Sequence, residues 1–106
     1  MNIGTKLPFH PEAEEAILGA FINNNHSLDK VIDFLSSDHF YLAINKKIYQ
    51  AIIKIVGAHH PATYLTTRSY FQRDTNIADI SRYLTDIISK AQLLVDVESL
   101  ARMIHD

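Results

Sequence analysis

The 106-residue sequence contains no cysteine and no tryptophan, and only three glycines and three prolines. Without cysteine the chain cannot form a disulfide or bind a metal through thiolates, and this is compatible with a reducing compartment. The glycines, at positions 4, 19 and 57, are too scattered to form a phosphate-binding loop, and no GxxxxGK[ST] motif occurs. The sequence therefore predicts neither a disulfide-stabilised domain nor a P-loop nucleotide site.

Long apolar runs and an excess of basic residues are also missing. No stretch is long and apolar enough to cross a bilayer and no signal-peptide pattern is present, so we expect a cytoplasmic protein that makes no membrane contact. The formal net charge is −2. Because sequence-independent binding to phosphates needs clustered basic residues, we do not expect this domain alone to bind nucleic acid. The hydrophobic content of 47% is ordinary for one folded domain.

The first pattern present is a helix start. Pro11 suits the first position of a helix, and the carboxylates of Glu12, Glu14 and Glu15 are favoured in its first turns by the helix dipole. Apolar residues then recur at helical spacing until the asparagine run 23–25. A glycine costs a helix interior about 1 kcal/mol relative to alanine, so the glycine at position 19 indicates that another backbone passes close by.

Apolar spacing predicts more helices downstream. Ser27 is a candidate cap for the second helix, Thr66 or Thr67 for the fourth helix and Asp96 for the last helix. The third helix has an apolar stripe that begins at Ile44 and is predicted to be the central core helix. A fifth begins near residue 77, and no strand-like alternation occurs. We therefore predict an all-α fold, a compact orthogonal bundle of five to six short helices.

No catalytic, cofactor-binding or metal-binding residue is predicted. His59 and His60 are the strongest metal candidates, but they are adjacent and lack an HExxH or i, i+4 partner, so a solvated loop is favoured. Serines occur outside any GxSxG motif. The acidic residues 12–15 are explained by helix-start electrostatics.

An aromatic and basic cluster could stack on the bases of a single DNA strand. It comprises Arg68, Tyr70, Phe71 and Arg73. Because acidic residues follow at 74 and 79 and the net charge is negative, core packing or a protein contact is favoured over nucleic acid. The adjacent lysines 46 and 47 are interpreted first as a solvated helix face and second as a contact for a partner.

The last helix has an apolar stripe but is too short to be stable alone, so it must dock on something. Either it closes this bundle or it continues in a longer parent chain. We predict a globular helical head over residues 1–93, with residues 94–106 starting a C-terminal helix that would continue into the hairpin and linker of the parent.

Several blocks resemble the N-terminal domain of the DnaB-type replicative DNA helicases. "LPFHPEAEEAILGAF" (7–21) is similar to the family's opening, which has a proline, a Glu-Ala-Glu and an Ala-aliphatic-Leu-Gly. "LSSDHFYLAINKKIYQAIIKI" (35–55), "HPATYLT" (60–66), "YLTDI" (83–87) and "VESLARMIHD" (97–106) are similar to later blocks in the same order. Asn45 stands where many members have histidine and Thr63 where aspartate is common.

The resemblance implies a non-catalytic collar. Members are hexameric motors that unwind duplex DNA at the replication fork, using ATP and Mg bound in a C-terminal RecA-like domain that is absent here. The N-terminal domain assembles with its copies as a dimer or within the hexamer, and it docks primase. The expected partners are therefore further copies of the chain, primase and the helicase loader, with DNA contacted only through the parent ring. This chain is not expected to be an enzyme, whereas its parent would be an ATP-dependent DNA helicase.

An exposed apolar surface on the last two helices is expected to carry the protein interface, with contributions from two other helices. The predicted interface residues are Leu93, Leu94, Leu100, Met103, Ile104, Lys46, Lys47, Tyr70 and Phe71. The alternative function is a stand-alone helical adaptor that binds primase or the helicase loader without a motor domain. A third is a single-strand DNA binder built on the aromatic and basic cluster.

Overall fold

The computed structural model describes residues 10–72, 77–91 and 96–106. These ranges contain five α-helices and two short 3₁₀ helices, with no strand. The helices are α1 (Pro11–Asn23), a first 3₁₀ helix (Asn25–Lys30), a second 3₁₀ helix (Ser37–His39), α2 (Ala43–Gly57), α3 (Tyr64–Tyr70), α4 (Ile77–Lys90) and α5 (Val97–His105). The predicted all-α bundle of short helices is confirmed.

The central helix is α1, which contacts α2, α4, α5 and the first 3₁₀ helix. Residues on most of its circumference are buried: Ala13, Glu14, Ile17, Leu18, Gly19, Ala20, Phe21 and Ile22. The prediction that α2 is central was wrong. A helix that is apolar on nearly all sides belongs in the middle of a bundle, whereas α2 keeps Lys47, Gln50 and Lys54 exposed.

Gly19 lies where α1 crosses α4, and the predicted close approach of a second backbone is confirmed. A Cβ atom at this position would overlap the carbonyl oxygen of Ile87 and lie 2.9 Å from Cβ of Ala91. The missing side chain therefore lets the two helices pack directly against each other.

The asparagines after α1 fix its end to two other elements. The Asn23 side chain donates to the carbonyl oxygen of Ile88 at 3.2 Å, near the end of α4. Asn25 forms a two-way pairing with the backbone of Ala62: its Nδ2 donates to the carbonyl oxygen at 2.9 Å, and its Oδ1 accepts from the N–H at 2.8 Å. The asparagine run thus ends the helix and also pins the connection between α2 and α3.

The second predicted helix differs from expectation. It is a 3₁₀ helix capped by Asn24, whose Oδ1 accepts from the backbone N–H of His26 at 3.1 Å, and Ser27 lies inside it. Apolar residues at helical spacing predict a stripe of Leu28, Val31, Ile32 and Leu35 here; Leu28, Val31 and Leu35 are buried, whereas Ile32 is 40% exposed. The apolar spacing found the buried side chains, and the local asparagine hydrogen bonds set the boundary.

Helix α3 begins earlier than the sequence predicts. Its cap is Thr63, whose Oγ1 accepts from the N–H of Thr66 at 3.1 Å, while Thr66 Oγ1 accepts from the N–H of Thr63 at 2.8 Å. Thr67, the other predicted cap, is fully buried in the helix. Threonine is one of the residues preferred at a helix N-cap, so Thr63 gives α3 a favourable start.

Helix α5 is capped by Asp96 as predicted. Its carboxylate accepts from the N–H of Ser99 at 3.2 Å and from the hydroxyl at 2.8 Å, and these bonds lower the pKa of Asp96. Val97, Ala101 and Ile104 are buried, and α5 packs against α1 and the first 3₁₀ helix. The last helix therefore closes the bundle, while the division of the chain at residues 93 and 94 stays a prediction.

Candidate protein-interaction surface

A cleft of about 520 Å³ opens beside the end of α5. We call it the α5 cleft, and its lining comes from the second 3₁₀ helix, the start of α2 and the last residues of the chain: Asp38, His39, Phe40, Tyr41, Lys46, Ile104, His105 and Asp106. Both charge signs and two histidines meet there, a composition suited to polar contacts with a ligand or a partner protein.

Aromatic rings join α5 to the neighbouring segments. The rings of His39 and His105 are 4.5 Å apart between centroids, and Phe34 meets His105 edge-on at 5.7 Å. The Arg102 guanidinium lies 4.7 Å from the centroid of the Phe34 ring, within cation–π range. Met103, between these residues in sequence, is 45% exposed. The exposed side of α5 thus combines the apolar Met103 with the basic Arg102 and the acidic Glu98.

A buried carboxylate positions the wall of the α5 cleft. Glu14 is only 1% exposed, and its carboxylate accepts from the backbone N–H of Tyr41 at 2.7 Å and from Nδ2 of Asn45 at 2.8 Å. The accepting oxygens lie at the N-terminus of α2, whose own cap residue, Leu42, has no side-chain oxygen. A carboxylate there is favoured by the free N–H groups and the helix dipole.

The network continues to α4 through Asn45, whose Oδ1 accepts from the Tyr83 hydroxyl at 2.6 Å. Burial, followed by the nearby charge of Glu15, raises the pKa of Tyr83 to about 12, although the bond to Asn45 opposes the shift. Asn45 thus bridges a carboxylate and a phenol. It donates to Glu14 and accepts from Tyr83, which an amide side chain can do without titrating.

The sequence interpretation of the acidic residues 12–15 was wrong for two of them. Glu14 serves the start of α2 rather than that of its own helix, and Glu15 accepts from Nζ of Lys90 at 2.6 Å. The hydrogen bonds that Lys90 donates to Glu15 and to Asp86 raise the pKa of Lys90. The sequence contains one sign that Glu14 is buried. It precedes Ile17 by three residues and Leu18 by four, so it lies on the same, buried face of the helix.

The predicted interface residues differ widely in exposure. Met103 and Lys47 are exposed and Tyr70 is 44% exposed, whereas Leu100 and Lys46 are partly buried. Ile104 and Phe71 are 3% and 4% exposed, so both belong to the core rather than to an open surface. Leu93 and Leu94 lie outside the described residues. The structure brings Lys46 and Ile104 together in the lining of the α5 cleft.

The aromatic and basic cluster does not form a stacking platform in the described residues. Phe71 is buried, Tyr70 meets it edge-on at 5.5 Å, and Arg68 Nε donates to the Ser81 hydroxyl at 2.9 Å. Arg73 lies outside the described residues. The packing thus favours a structural role over base stacking for the part of the cluster that is described.

The histidines at 59 and 60 lie exposed in the turn after α2, where His59 has a φ of 66°. Within residues 10–72, 77–91 and 96–106, no group of three or more His, Asp or Glu side chains is placed to hold a metal ion. Over the same part of the chain, no helix combines the length and the apolar character needed to cross a membrane.

Comparison with protein families gives one match over nearly the whole chain. The family described as the DnaB-like helicase N terminal domain matches residues 6–106. The chain belongs to this family. The blocks that suggested the resemblance therefore reflect common descent, and the Glu14 network and the Gly19 contact are features of one DnaB-type N-terminal domain.

Named relatives are DNA helicases much longer than this chain. The replicative DNA helicase DnaB of Rickettsia typhi is 34% identical over 100% of this chain and 22% of its own length. The DnaB of Rickettsia felis is 35% identical over 94% of this chain and 21% of its own length. The replicative DNA helicase DnaC of Bacillus subtilis is 27% identical over 93% of this chain and 22% of its own length. The chain spans about a fifth of the length of these relatives.

A solved structure shows the same fold. The N-terminal domain of DnaB helicase from Mycobacterium tuberculosis superposes with a TM-score of 0.84, covering 94% of this chain and 71% of that one. Sequence identity is 22%, so this likeness establishes the helical architecture alone.

Proposed function

We propose that this chain is the N-terminal collar of a hexameric replicative DNA helicase, which promotes assembly of the ring and docks primase. The family match over residues 6–106 carries the proposal. Under this proposal, the parent protein is a cytoplasmic, ATP-dependent helicase that binds ATP and Mg in a separate motor domain. The collar contacts its copies, primase and the helicase loader, and it reaches DNA only through the ring.

The outer face of α5 is the proposed contact surface. Met103 is exposed on α5, whose Val97, Ala101 and Ile104 are buried in the bundle, and Leu100 of the same helix is partly exposed. Lys46 is also partly exposed and lines the α5 cleft with Ile104. Met103 follows Arg102 in sequence, and both methionine and arginine are enriched at protein interfaces. Lys47 and Tyr70 are proposed as further contacts on α2 and α3.

Self-association is tested by light scattering over a range of concentrations. The 106-residue chain is compared with one extended by about 50 residues of the relatives' sequence, roughly one helical hairpin. If the extended chain forms dimers or hexamers, the collar function is supported. If both chains stay monomeric at high concentration, self-assembly is not the role of this domain, and the adaptor function becomes the better proposal.

Primase docking is tested separately by calorimetric titration with the primase of the same organism. We expect Met103→Glu to weaken binding at least about tenfold, since a charge placed in an apolar contact must be desolvated. Ser89→Glu, an exposed position on α4, adds the same charge and should leave affinity unchanged. Equal affinities for both variants would remove α5 from the docking surface.

The adaptor alternative is distinguished by the coding sequence downstream of residue 106. A linker followed by GxxxxGK[ST] supports the helicase, whereas a stop codon supports the adaptor. The single-strand DNA function requires a steeply salt-dependent affinity for an oligonucleotide, and the absence of binding at low salt would eliminate it.

A further inference from the structure

Helices α3 and α4 pack side by side and form a groove that the proposed function does not use. One end of it is a pocket of about 290 Å³, lined by Tyr64, Thr85, Ile88 and Ser89. Tyr64 begins α3, whereas the other three lining residues belong to the second half of α4. One turn after Tyr64, Nε of Arg68 donates to the hydroxyl of Ser81 in the first half of α4 at 2.9 Å. The two helices are therefore antiparallel, and we call the space between them the α3/α4 groove.

The pocket in this groove is apolar and small. The side chains of Tyr64 and Ile88 are partly buried and pack against the core. The Thr85 hydroxyl donates to the carbonyl oxygen of Ser81 at 2.9 Å, so its proton is used within α4 rather than offered to a ligand. Because pockets for drug-sized ligands usually measure about 300–1,000 Å³, this one has room for a single apolar side chain rather than for a cofactor.

Two arginines border the α3/α4 groove. Arg68 lies on the same face of α3 as Tyr64, because the two are four residues apart. Arg82 lies three residues before Thr85 and seven before Ser89, which places all three on one face of α4. Both arginines are exposed. A helix or peptide seated in the pocket would therefore have a guanidinium within reach on each side of the groove.

The carboxylates of α4 do not neutralise these arginines. Asp86, one turn after Arg82, pairs with Nζ of Lys90 at 3.2 Å. Asp79, three residues before Arg82, is exposed and forms no ion pair with it. Over the part of the chain that the structure describes, no ion pair involves Arg68 either. The groove thus combines an apolar pocket with uncompensated positive charge, which complements an apolar side chain beside a carboxylate.

We propose that the α3/α4 groove binds an acidic amphipathic helix of a partner protein, with an apolar side chain in the pocket and a carboxylate on Arg68. Residues four apart on such a helix are separated by about 6 Å along its axis, which matches the one-turn step from Tyr64 to Arg68 in α3. Arginine binds a carboxylate through two parallel hydrogen bonds, and the bond to Ser81 already positions the Arg68 side chain beside the groove.

Two features separate this surface from other candidates. A nucleic-acid strand is disfavoured because binding along a phosphate backbone needs a longer basic track than two arginines. The α3/α4 pocket shares no lining residue with the α5 cleft. The inference therefore stands whether or not α5 docks primase.

The groove is tested with a synthetic helical probe and the 106-residue chain. The probe is an alanine-based, fluorescently labelled peptide of about 16 residues, long enough to be helical in water. It carries one central leucine with a glutamate four residues before it and another four residues after it, so either orientation brings a carboxylate to Arg68. Fluorescence anisotropy measures the affinity. Replacing the leucine by alanine, or both glutamates by lysines, should each weaken binding at least about tenfold.

Two variants of the chain locate the binding. Arg68→Glu reverses the charge beside the groove and Ser89→Glu places a carboxylate in the pocket, so each should weaken binding of the probe at least about tenfold. The control Lys30→Glu reverses an exposed charge on the first 3₁₀ helix and should change the affinity less than about twofold. Equal affinities for the wild-type chain and both groove variants would overturn the proposal. Primase is absent from this assay, so the result does not depend on primase docking.

A measurement on the wild-type chain serves if the substitutions unfold it. In an NMR titration with the probe, the backbone amide resonances of residues 64–68 and 81–89 should shift, whereas those of α5 should not. A thymidine oligonucleotide of about 12 nucleotides, titrated in the same way at low salt, should cause no shift in the groove. Shifts confined to other surfaces, no shift at about 1 mM probe, or tighter binding of the oligonucleotide would each refute the proposed site.

Discussion

Glu14 concentrates several hydrogen bonds on one buried carboxylate. We expect Glu14→Ala to lower the free energy of unfolding by about 2–4 kcal/mol, because the N–H of Tyr41 and the amide of Asn45 lose their acceptor inside the protein. Urea unfolding followed by circular dichroism measures this change. Glu12→Ala, at an exposed position of the same helix turn, should cost no more than about 0.5 kcal/mol. Similar losses for the two variants would contradict the buried network.

Thr67 is the reverse case, a buried polar group that has no hydrogen-bond partner among the described residues. Its hydroxyl forms no hydrogen bond with any described residue. Thr67→Val replaces the hydroxyl by a methyl group of the same shape and should raise the free energy of unfolding by about 1 kcal/mol.

The neighbouring threonine provides the matched control. Thr66 Oγ1 donates to the carbonyl oxygen of Pro61 at 2.9 Å and accepts from the N–H of Thr63. Thr66→Val should therefore destabilise the protein, by about 1 kcal/mol. If both valine variants change stability in the same direction, the two hydroxyls do not differ as described. Denaturant unfolding again provides the measurement.

The partners of two buried polar residues, Glu14 and Asn45, could not be predicted from the sequence. That Glu14 opens a helix follows from the sequence, but that its carboxylate caps α2 requires knowing how α1 and α2 pack. The same holds for Asn45, whose two partners come from α1 and α4. Hydrogen bonds across helices depend on tertiary geometry, which local spacing does not contain.

At the scale of helices, the α1 and α4 contact depends on the absence of a side chain. Gly19→Ala should cost about 3 kcal/mol or more, because the new Cβ would overlap the backbone of Ile87 and the helices would have to separate. Gly57→Ala is the control: a Cβ there meets nothing within 4 Å, so stability should be unchanged or rise by up to about 1 kcal/mol. The midpoints of thermal unfolding of both variants measure these changes in stability. An unchanged midpoint for Gly19→Ala would refute the close packing of α1 against α4.

Helix positions were more predictable than helix boundaries. Apolar residues at helical spacing, among them Ile17, Leu84 and Ala101, are buried, since burial follows the helical period. The caps at Asn24 and Thr63 were missed because several nearby Ser, Thr and Asn side chains could have capped with equal local chemistry. Which one does so depends on where the chain must turn to reach the next helix.

At the scale of the whole molecule, one buried and one half-buried phenol make stability sensitive to alkali. Burial raises the pKa of Tyr49, whose hydroxyl donates to the carbonyl oxygen of Leu35 at 2.6 Å, to about 12, as it does for Tyr83. Because the phenolate forms more readily in the unfolded chain, with an ordinary pKa of 10.0, stability is intact below pH 10.0 and falls as the pH rises toward 12.

Tyr83→Phe should make this decline shallower, although it also removes the bond to Asn45 and lowers stability at neutral pH. Tyr70→Phe, at an exposed position, should leave the decline as steep as in the wild-type chain. Urea midpoints measured from neutral to strongly alkaline pH provide the test. An identical pH dependence in all three proteins would show that the Tyr83 phenol does not contribute.

The connection between α2 and α3 has an exposed part and a fixed part. Residues 57–61 are exposed, whereas both backbone groups of Ala62 are hydrogen-bonded to the Asn25 side chain. The N–H of His60 donates to the carbonyl oxygen of Ile55 at 3.1 Å, and the carbonyl oxygen of Pro61 accepts from Thr66 Oγ1. An affinity tag or a fluorescent peptide inserted between His60 and Pro61 would therefore keep both bonds and extend into solvent without shifting α3. The same insertion between Ala62 and Thr63 would break the pairing and displace the helix cap. The protein thus contains a natural attachment point beside a position that accepts no added length.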